Sequence, residues 1–348
     1  MGAWAKAWLG AAGLLLLALA APAFAIPRIV AVGDLHGDHA AFVAILRAAR
    51  LTDVHDRWIG GDAIFVQAGD VADRGPDSLR IVRDLMRLQR EASRAGGRVV
   101  ALVGNHEAMN VTGDLRYVHP GEYAAFADRD SRARRDRYYA QNRTAIERHY
   151  RERDTRLTGE QIRDLFERET PRGMIEHRAA WGPNGEIGRW VASNPAVALI
   201  DGNLFAHGGV GAAYANVPLD EINRRAAEAL RAGAMNDAAI IEDPQGPLWY
   251  RGLIQRGAGG DAPTNGAVAE APELSIEAEL TQVLTAFGAR RMIVGHTPNL
   301  AGIQMLQSGR LIAIDTGISA YYGGPWTWLE IVNGEAAAHV VPGGGARR

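Results

Sequence analysis

Residues 28–38 read RIVAVGDLHGD, and the pattern in this stretch recurs along the chain. An apolar run at 28–32 leads into Gly33 and Asp34, which is typical of a buried strand that ends in a tight turn. Asp34 and His36 point to the same side of an extended chain because successive side chains alternate. The neighbouring glycines allow sharp turns and a close approach of ligands. The stretch therefore predicts a polar site at the end of a buried strand.

The same pattern recurs in four more apolar runs, each followed by glycine and a polar residue. These are 64–68 before Gly69-Asp70, 99–103 before Gly104-Asn105, 204–206 before His207-Gly208-Gly209, and 292–294 before Gly295-His296. Residues 40–49 and 78–95, between the first three runs, carry apolar side chains at helical spacing. The alternation of strand and helix predicts an α/β fold, in which ligands bind at the carboxyl ends of the strands.

Residues 111–193 are rich in arginine and helical in pattern, and we predict that they form a helical insertion over the site. Residues 132–149 predict one helix, and Thr158 with Gln161 has the capping-box spacing that starts another. Acidic residues are interleaved with the arginines, which favours a solvated helix face over a surface that steers anionic substrates.

The C-terminal part of the chain contains further predicted elements. The apolar runs at 311–314 and 326–332 are predicted to be strands of a second sheet. The remaining predictions are loops at 243–247 and 257–264, a helix at 273–287, a main domain over 26–342 and a frayed tail at 343–348.

The 348-residue chain has no cysteine, which excludes disulfides, thiolate metal ligands and a cysteine nucleophile. Its single lysine, Lys6, precedes the main domain, so a bound phosphate must be held by arginine, histidine, metal or backbone. After residue 25 the chain carries 37 arginines and 40 acidic residues, a net charge of −3. This balance does not indicate a nucleic-acid partner.

Residues 1–25 resemble a secretory signal peptide. Lys6 precedes an apolar run at 8–20, and Ala23-Phe24-Ala25 has the small-x-small pattern of a cleavage site. The run is too short for a permanent membrane span to be the first choice, so we expect no stable membrane insertion after cleavage. The sequence predicts an exported protein, periplasmic or secreted.

The polar residues at the predicted strand ends form a candidate ligand set: Asp34, His36, Asp70, Asn105, His207 and His296. Oxygen and imidazole ligands without thiolates suit two divalent first-row metal ions, and Mn, Fe and Zn all fit. A single Gly-Asp turn is usually a cap or a solvated loop. Five such motifs in this order favour the metal site.

The motifs GDLHGD (33–38), GDVADRG (69–75), GNHE (104–107), HGG (207–209) and GHT (295–297) resemble those of the calcineurin-like metallophosphoesterases, in the phosphoprotein phosphatase branch. The longer run GNHEAMNVTGDLRYV from Gly104 resembles the Shewanella-like protein phosphatases. The resemblance covers residues 29–332, only loosely between 111 and 193. It implies a two-sheet β sandwich flanked by helices, with the helical insertion.

The resemblance also implies roles for the polar residues. Asp34, His36 and Asp70 would hold the first metal, and Asp70, Asn105, His207 and His296 the second, with Asp70 bridging. The two ions would share a hydroxide that attacks phosphorus.

Further residues carry the expected substrate chemistry. His106 would protonate the leaving oxygen, with Asp73 orienting its ring. Arg74 and Arg251 would bind phosphate oxygens together with Asn105. The alternatives are a structural ion pair between Asp73 and Arg74, and a simple surface role for Arg251.

The predicted activity is that of a metal-dependent phosphomonoesterase acting on phosphotyrosine or phosphoserine/threonine, in a phosphorylated protein or a small phosphomonoester. The alternatives are a dinucleoside polyphosphate or nucleotide hydrolase, and a binding protein that has lost catalysis. Val103 replaces an arginine of the eukaryotic enzymes, and residues 318–322 match their SAPNY segment only loosely, which leaves substrate choice open. Aromatic residues of the insertion, including Tyr117, could stack on a substrate ring or simply pack.

Overall fold

The computed structural model describes residues 27–233, 239–256 and 274–345. The predicted signal segment 1–25, the predicted loop 257–264 and the last three residues of the predicted tail lie outside these ranges.

In the first half of the chain, strands and helices alternate in the order that the sequence pattern predicts. The strands are β1 (Ile29–Val32), β2 (Ile64–Gln67), β3 (Arg98–Ala101), β4 (Val197–Ile200), β5 (Asn203–Ala206), β6 (Arg291–Val294), β7 (Gln304–Leu306), β8 (Leu311–Ala313), β9 (Thr327–Val332) and β10 (Glu335–Val340). The helices are α1 (His39–Ala48), α2 (Ser78–Arg94), α3 (Asn105–Thr112), α4 (Pro120–Phe126), α5 (Ser131–Arg153), α6 (Gly159–Glu169), α7 (Met174–Trp181), α8 (Glu186–Val191), α9 (Leu219–Ala232) and α10 (Ile276–Phe287).

The strands form two five-stranded sheets. The first has the order β10-β9-β1-β2-β3, with β1, β2 and β3 parallel and β9 and β10 antiparallel to their neighbours. The second has the order β4-β5-β6-β8-β7, with β5, β6 and β8 parallel. Each sheet therefore brings three parallel carboxyl ends to one edge, where the predicted site residues follow.

The two sheets pack face to face. Ile29 and Ala31 of β1 share a buried core with Phe205 of β5 and Ile293 of β6. The alternating residue Val30 belongs to a second core that includes helix residues. Because side chains in a strand alternate, one face of each sheet meets the other sheet while the opposite face is covered by helices. The predicted two-sheet sandwich flanked by helices is confirmed.

One predicted strand lies in a different sheet from the one expected. The prediction that 326–332 belongs to the second sheet is wrong, because β9 pairs antiparallel with β1 and places Ile331 opposite Ile29. The apolar alternation identifies a strand but not its partner. The partner is set by long-range burial, which puts Leu329 and Ile331 in the core between the sheets.

The predicted helices are present, with small shifts at their ends. The Asp38 side chain caps α1 by accepting a hydrogen bond from the Ala41 backbone N–H at 2.9 Å. The helix predicted at 273–287 begins at Ile276, because the Ser275 hydroxyl caps it by accepting from the Ala278 N–H at 3.2 Å.

Helices α4 to α8 lie between β3 and β4 in the chain, in the region predicted to be helical. The capping box predicted at Thr158 is formed: its hydroxyl accepts from the Gln161 N–H, and the Gln161 side chain accepts from the Thr158 N–H at 2.9 Å. Part of this region has a core of its own, built from Tyr139, Tyr150, Ile162 and Phe166. In the described part of the chain, no helix combines the length and apolar character needed to span a membrane.

Glu122 of α4 is a buried carboxyl group that joins α4 to the start of α2. It accepts a hydrogen bond from the backbone N–H of Ser78 at 3.0 Å. Burial raises the pKa of Glu122 to about 8. Between the unfolded pKa near 4.5 and this value, the folded protein holds a proton here that the unfolded chain has lost. The contribution of Glu122 to stability therefore falls as the pH rises through that window.

We expect the free energy of unfolding of Glu122→Gln to rise relative to that of the wild type as the pH rises from 5 to 8, since glutamine stays neutral. The difference in free energy of unfolding should grow by about 3 kcal/mol. Urea unfolding at four pH values measures it, with Glu160→Gln on the exposed first turn of α6 as the matched control. A difference that does not depend on pH would contradict the protonated state of Glu122.

Candidate active site

The predicted ligand residues converge at the carboxyl ends of parallel strands from both sheets. Asp34 and His36 follow β1, Asp70 follows β2, and Asn105 begins α3 after β3. His207 and His296 follow β5 and β6. All six side chains are buried, between 0% and 4% exposed. The fold therefore brings together residues that lie up to 262 positions apart, as in the contact between His296 and Asp34.

Asp70 lies at the centre of this group. Its Oδ2 is 3.2 Å from the Nε2 of His207, 3.8 Å from the Nε2 of His36 and 3.9 Å from the Nε2 of His106. The potential ligand atoms of Asp70, His207 and His296 lie within 4.8 Å of one another, and so do those of His36, Asp70 and His106. Asp70 is thus shared by two overlapping sets of ligand atoms.

The backbone at the site adopts conformations that are rare for residues with side chains. His36, Asp70 and His296 have φ angles of 43°, 54° and 67°. A left-handed residue with a side chain is strained and persists only where the surrounding structure holds it. Such residues are common at functional sites. Gly104 is required beside Asp70, since a Cβ at this position would collide with the Asp70 carboxylate. Tight turns therefore aim the side chains inward.

Hydrogen bonds fix the orientation of two histidine rings. The Nδ1 of His36 lies 3.0 Å from the carbonyl oxygen of Ala72, and the Nδ1 of His207 lies 2.9 Å from that of Ala68. A ring that donates through Nδ1 keeps the Nε2 lone pair free for a cation. The buried Nε2 of His296 has no hydrogen-bond partner within the described ranges. These are features of rings prepared to bind a metal ion.

The charges at the site also fit divalent cations. Burial, followed by the charges of Asp315 and Asp70, raises the pKa of Asp34 well above its usual value. Burial lowers the pKa of His36 to about 4, and the pKa of His296 is lowered for the same reason, so both rings stay neutral. Buried carboxylates crowded against each other with neutral imidazoles favour a positive ion in their midst.

Asp315 is a site residue that the sequence reasoning missed. It follows β8, the third parallel strand of the second sheet, and lines the same cavity as His36 and Asp70. Burial raises the pKa of Asp315 to about 6. A signal was present, because the apolar run at 311–314 leads into Asp315-Thr316-Gly317, a polar residue and a glycine at a strand end.

His106 and Asp73 form a close pair beside the ligand group. The His106 Nδ1 lies 2.6 Å from Asp73 Oδ2, and the other carboxylate oxygen of Asp73 accepts a hydrogen bond from Asn110 at 2.9 Å. Although burial opposes it, the charges of Asp70 and Asp73 raise the pKa of His106. A protonated ring held by a carboxylate is suited to donate a proton. Asp73 thus contacts His106. Arg74, which the alternative interpretation paired with Asp73, donates a hydrogen bond to the Tyr321 hydroxyl.

A cavity of about 160 Å³ opens beside these residues. Its lining includes both predicted phosphate-binding arginines, Arg74 and Arg251, together with Asn105 and His106. The cavity thus has guanidinium, amide and imidazole groups in its lining, together with the aromatic residues Tyr117, Trp249 and Tyr322.

Glu107, the last residue of the GNHE motif, was not assigned a role from sequence. Its buried carboxylate accepts four backbone hydrogen bonds of 2.8 to 3.0 Å. The donors are the N–H groups of Asp70, Val71, Ala72 and Gly104. Glu107 therefore joins the turn after β2 to the turn after β3 and fixes the backbone of Asp70.

We expect Glu107→Gln to lower the free energy of unfolding by about 2 to 4 kcal/mol and to reduce metal affinity. Each carboxylate oxygen of Glu107 accepts two backbone hydrogen bonds. In glutamine, an NH₂ group that cannot accept them would replace one of these oxygens. Urea unfolding and metal content measure the two effects, with Glu186→Gln on the exposed first turn of α8 as the control. Wild-type stability in Glu107→Gln would show that these bonds do not hold the turns.

Comparison with known proteins identifies the class. The family described as calcineurin-like phosphoesterase matches residues 27–300, and the chain belongs to this family. Among its relatives, Shewanella-like protein phosphatase 2 of Arabidopsis thaliana is 32% identical over 299 residues, which cover 84% of this chain and 71% of that protein. An uncharacterized protein of Schizosaccharomyces pombe is 31% identical over 320 residues, 88% of this chain and 77% of that protein. The predicted resemblance to the Shewanella-like phosphatases is confirmed, and the Arabidopsis relative supports phosphatase activity.

A solved structure supports the fold independently. The cold-active protein-tyrosine phosphatase of a psychrophilic Shewanella species superposes with a TM-score of 0.64 at 24% identity, covering 92% of this chain and 80% of that chain. At this identity the likeness concerns the fold.

Proposed function

We propose that this protein is a metal-dependent phosphomonoesterase of the protein-phosphatase type, which hydrolyses phosphotyrosine, phosphoserine/threonine or both. The observation that carries the proposal is the convergence on Asp70 of histidines from three separate turns, His36, His106 and His207, beside a cavity lined by two arginines. The name of the Shewanella-like protein phosphatase among its relatives points to the same substrate class.

Two divalent ions, Mn, Fe or Zn, suit the donor set. Asp34, His36 and Asp70 would hold the first, and Asp70, Asn105, His207 and His296 the second. When bound, such ions neutralise phosphate charge and activate a water molecule for attack on phosphorus. The chain's own contribution is to fix these donors by buried turns, since a loosely held ligand set would bind the ions weakly.

The remaining residues would act on the substrate itself. Arg74, Arg251 and Asn105 would bind phosphate oxygens, because guanidinium and amide N–H groups donate to them. Arg251 is half-buried and directs one nitrogen toward the His296 carbonyl oxygen at 3.4 Å, which places its guanidinium beside the ligand group. His106 would give its proton to the leaving oxygen, held in position by Asp73.

The protein would act outside the cytoplasm. This part of the proposal rests on the signal-like sequence of residues 1–25. N-terminal sequencing of the exported protein tests it, with Ile26 expected as the first residue and Met1 as the contrary result.

A substrate panel tests the activity. Purified protein is assayed on phosphotyrosine, phosphoserine and phosphothreonine peptides and on a diadenosine polyphosphate, with chelator-treated protein as the blank. We expect hydrolysis of at least one phosphopeptide, with kcat/KM well above that for the anhydride. A preference for the anhydride would instead favour the nucleotide hydrolase, and metal binding without turnover of any phosphate ester would favour a protein that binds metal without catalysis.

A further inference from the structure

Arg74 lines the cavity and lies close to two tyrosine rings. Its guanidinium carbon lies 4.1 Å from the centre of the Tyr117 ring and 4.9 Å from that of Tyr321. One guanidinium nitrogen also donates to the Tyr321 hydroxyl at 3.0 Å. Cation–π contacts with two rings restrict the rotamers of a long side chain that would otherwise move freely.

Tyr117 is connected to Arg74 through the backbone as well. The Arg74 N–H donates to the Tyr117 carbonyl oxygen at 3.0 Å. This bond forms where Asp73 and Arg74 both have left-handed φ angles, of 70° and 65°. A left-handed pair of non-glycine residues needs support from its surroundings, and the carbonyl oxygen of Tyr117 is one of the groups that supply it.

The same Tyr117 ring contacts His106. The two ring centres are 5.1 Å apart at an interplanar angle of 44°. Tyr117 lies in the connection between α3 and α4, at the start of the helical region, and lines the cavity together with Arg74 and His106. One side chain thus contacts both the group proposed to bind phosphate and the group proposed to donate the proton.

We propose that Tyr117 is a positioning residue that holds the Arg74 guanidinium and the His106 ring toward the same phosphate, with Tyr321 closing the outer face of Arg74. This inference rests on the proposed phosphomonoesterase function. Tyr117 belongs to the predicted helical insertion, so the inference gives the start of that insertion a part in catalysis. None of the contacts described above joins Tyr117 to a predicted metal ligand. The contacts use the ring and the backbone carbonyl, so phenylalanine can replace tyrosine at this position.

The test compares Tyr117→Leu, Tyr117→Phe and the control Tyr138→Leu, a tyrosine that stacks on Phe166 away from the cavity. Each is measured with p-nitrophenyl phosphate and phenyl phosphate, and by competitive inhibition with inorganic phosphate. We expect Tyr117→Leu to raise the phosphate inhibition constant and KM roughly tenfold. Its kcat should fall more for phenyl phosphate, the poorer leaving group, than for p-nitrophenyl phosphate. Tyr117→Phe should retain most of the activity, and Tyr138→Leu all of it.

A double-mutant cycle separates positioning from general packing. In an Arg74→Met background, Tyr117→Leu should leave the phosphate inhibition constant unchanged, since there is no guanidinium left to position. The same tenfold effect in that background, or equal losses in Tyr117→Phe and Tyr117→Leu, would overturn the proposal. If Tyr117→Leu does not fold, Tyr321→Leu at the exposed outer face replaces it, with the same coupling to Arg74 expected and independence from Arg74 as the contrary result. An active wild type with uncoupled tyrosines refutes this inference alone, whereas a wild type inactive on every phosphomonoester refutes the proposed function and the inference with it.

Discussion

Asp70→Asn should abolish phosphatase activity, with a loss of at least about a thousandfold in kcat/KM. Asp70 Oδ2 lies within 4 Å of three imidazole nitrogens, so its charge is shared by both proposed metal positions. Metal ions contribute several kcal/mol to phosphate hydrolysis, and each 1.36 kcal/mol corresponds to about tenfold in rate. Steady-state kinetics and elemental analysis of the purified variant measure the effect, with metal content expected to fall together with activity.

The control for this variant is Asp62→Asn, which makes the same chemical change at an exposed loop position before β2. It should have wild-type activity and metal content. Retention of both metals and of activity in Asp70→Asn would contradict the bridging role, even if other residues of the site proved essential.

His106→Asn should lower kcat by about 10²- to 10⁴-fold on phosphoserine peptides, while metal content stays at the wild-type level. The reason is that an alkoxide leaves poorly without a proton, which the His106–Asp73 pair is suited to supply. With p-nitrophenyl phosphate, whose leaving group needs little protonation, the loss should be much smaller. A pair of kcat values, one for each substrate, measures the role directly.

The geometry permits a second role for His106, since its Nε2 lies 3.9 Å from Asp70 Oδ2 and its ring belongs to one of the candidate ligand sets. If His106 is a ligand, His106→Asn should lose metal and should lose activity equally on both substrates. That result would remove the general acid from the mechanism. His119→Asn, a half-buried histidine that caps α4, is the matched control and should change neither quantity.

Much of the fold could be predicted from sequence because its signals are local. Apolar runs that end in glycine and a polar residue identify β1, β2, β5 and β6, and helical spacing identifies α1 and α2. The partner of β9 could not be predicted in this way, since pairing with β1 depends on contacts about 300 residues away in the chain. The strands β7 and β10 were missed because they are short or largely exposed, so their apolar pattern is weak. The strand β4 was missed although its sequence, VALI, is apolar throughout.

The candidate site, too, could be predicted where its signals are local and was missed where they depend on long-range contacts. The six predicted ligand residues lie in glycine-flanked motifs, and the fold brings all of them together. Their roles remain predictions that the experiments above test. No role was predicted for Glu107, and Tyr117 was considered only for stacking on a substrate ring or for packing. Their partners are backbone groups and side chains of distant turns, which no local pattern encodes. Asp315 differs from these two, since it has the local pattern of a strand end and could have been found from it.

We propose that this chain hydrolyses phosphate monoesters with two metal ions held around Asp70. The most direct measurement is to strip the purified protein with a chelator, return Mn²⁺ stepwise, and record bound metal and the phosphatase rate in the same samples. We predict that the stripped protein is folded but inactive, and that the rate returns as the bound metal approaches two ions per chain. Full activity in the stripped protein would contradict the two-metal proposal, and so would a rate that is complete with one ion bound.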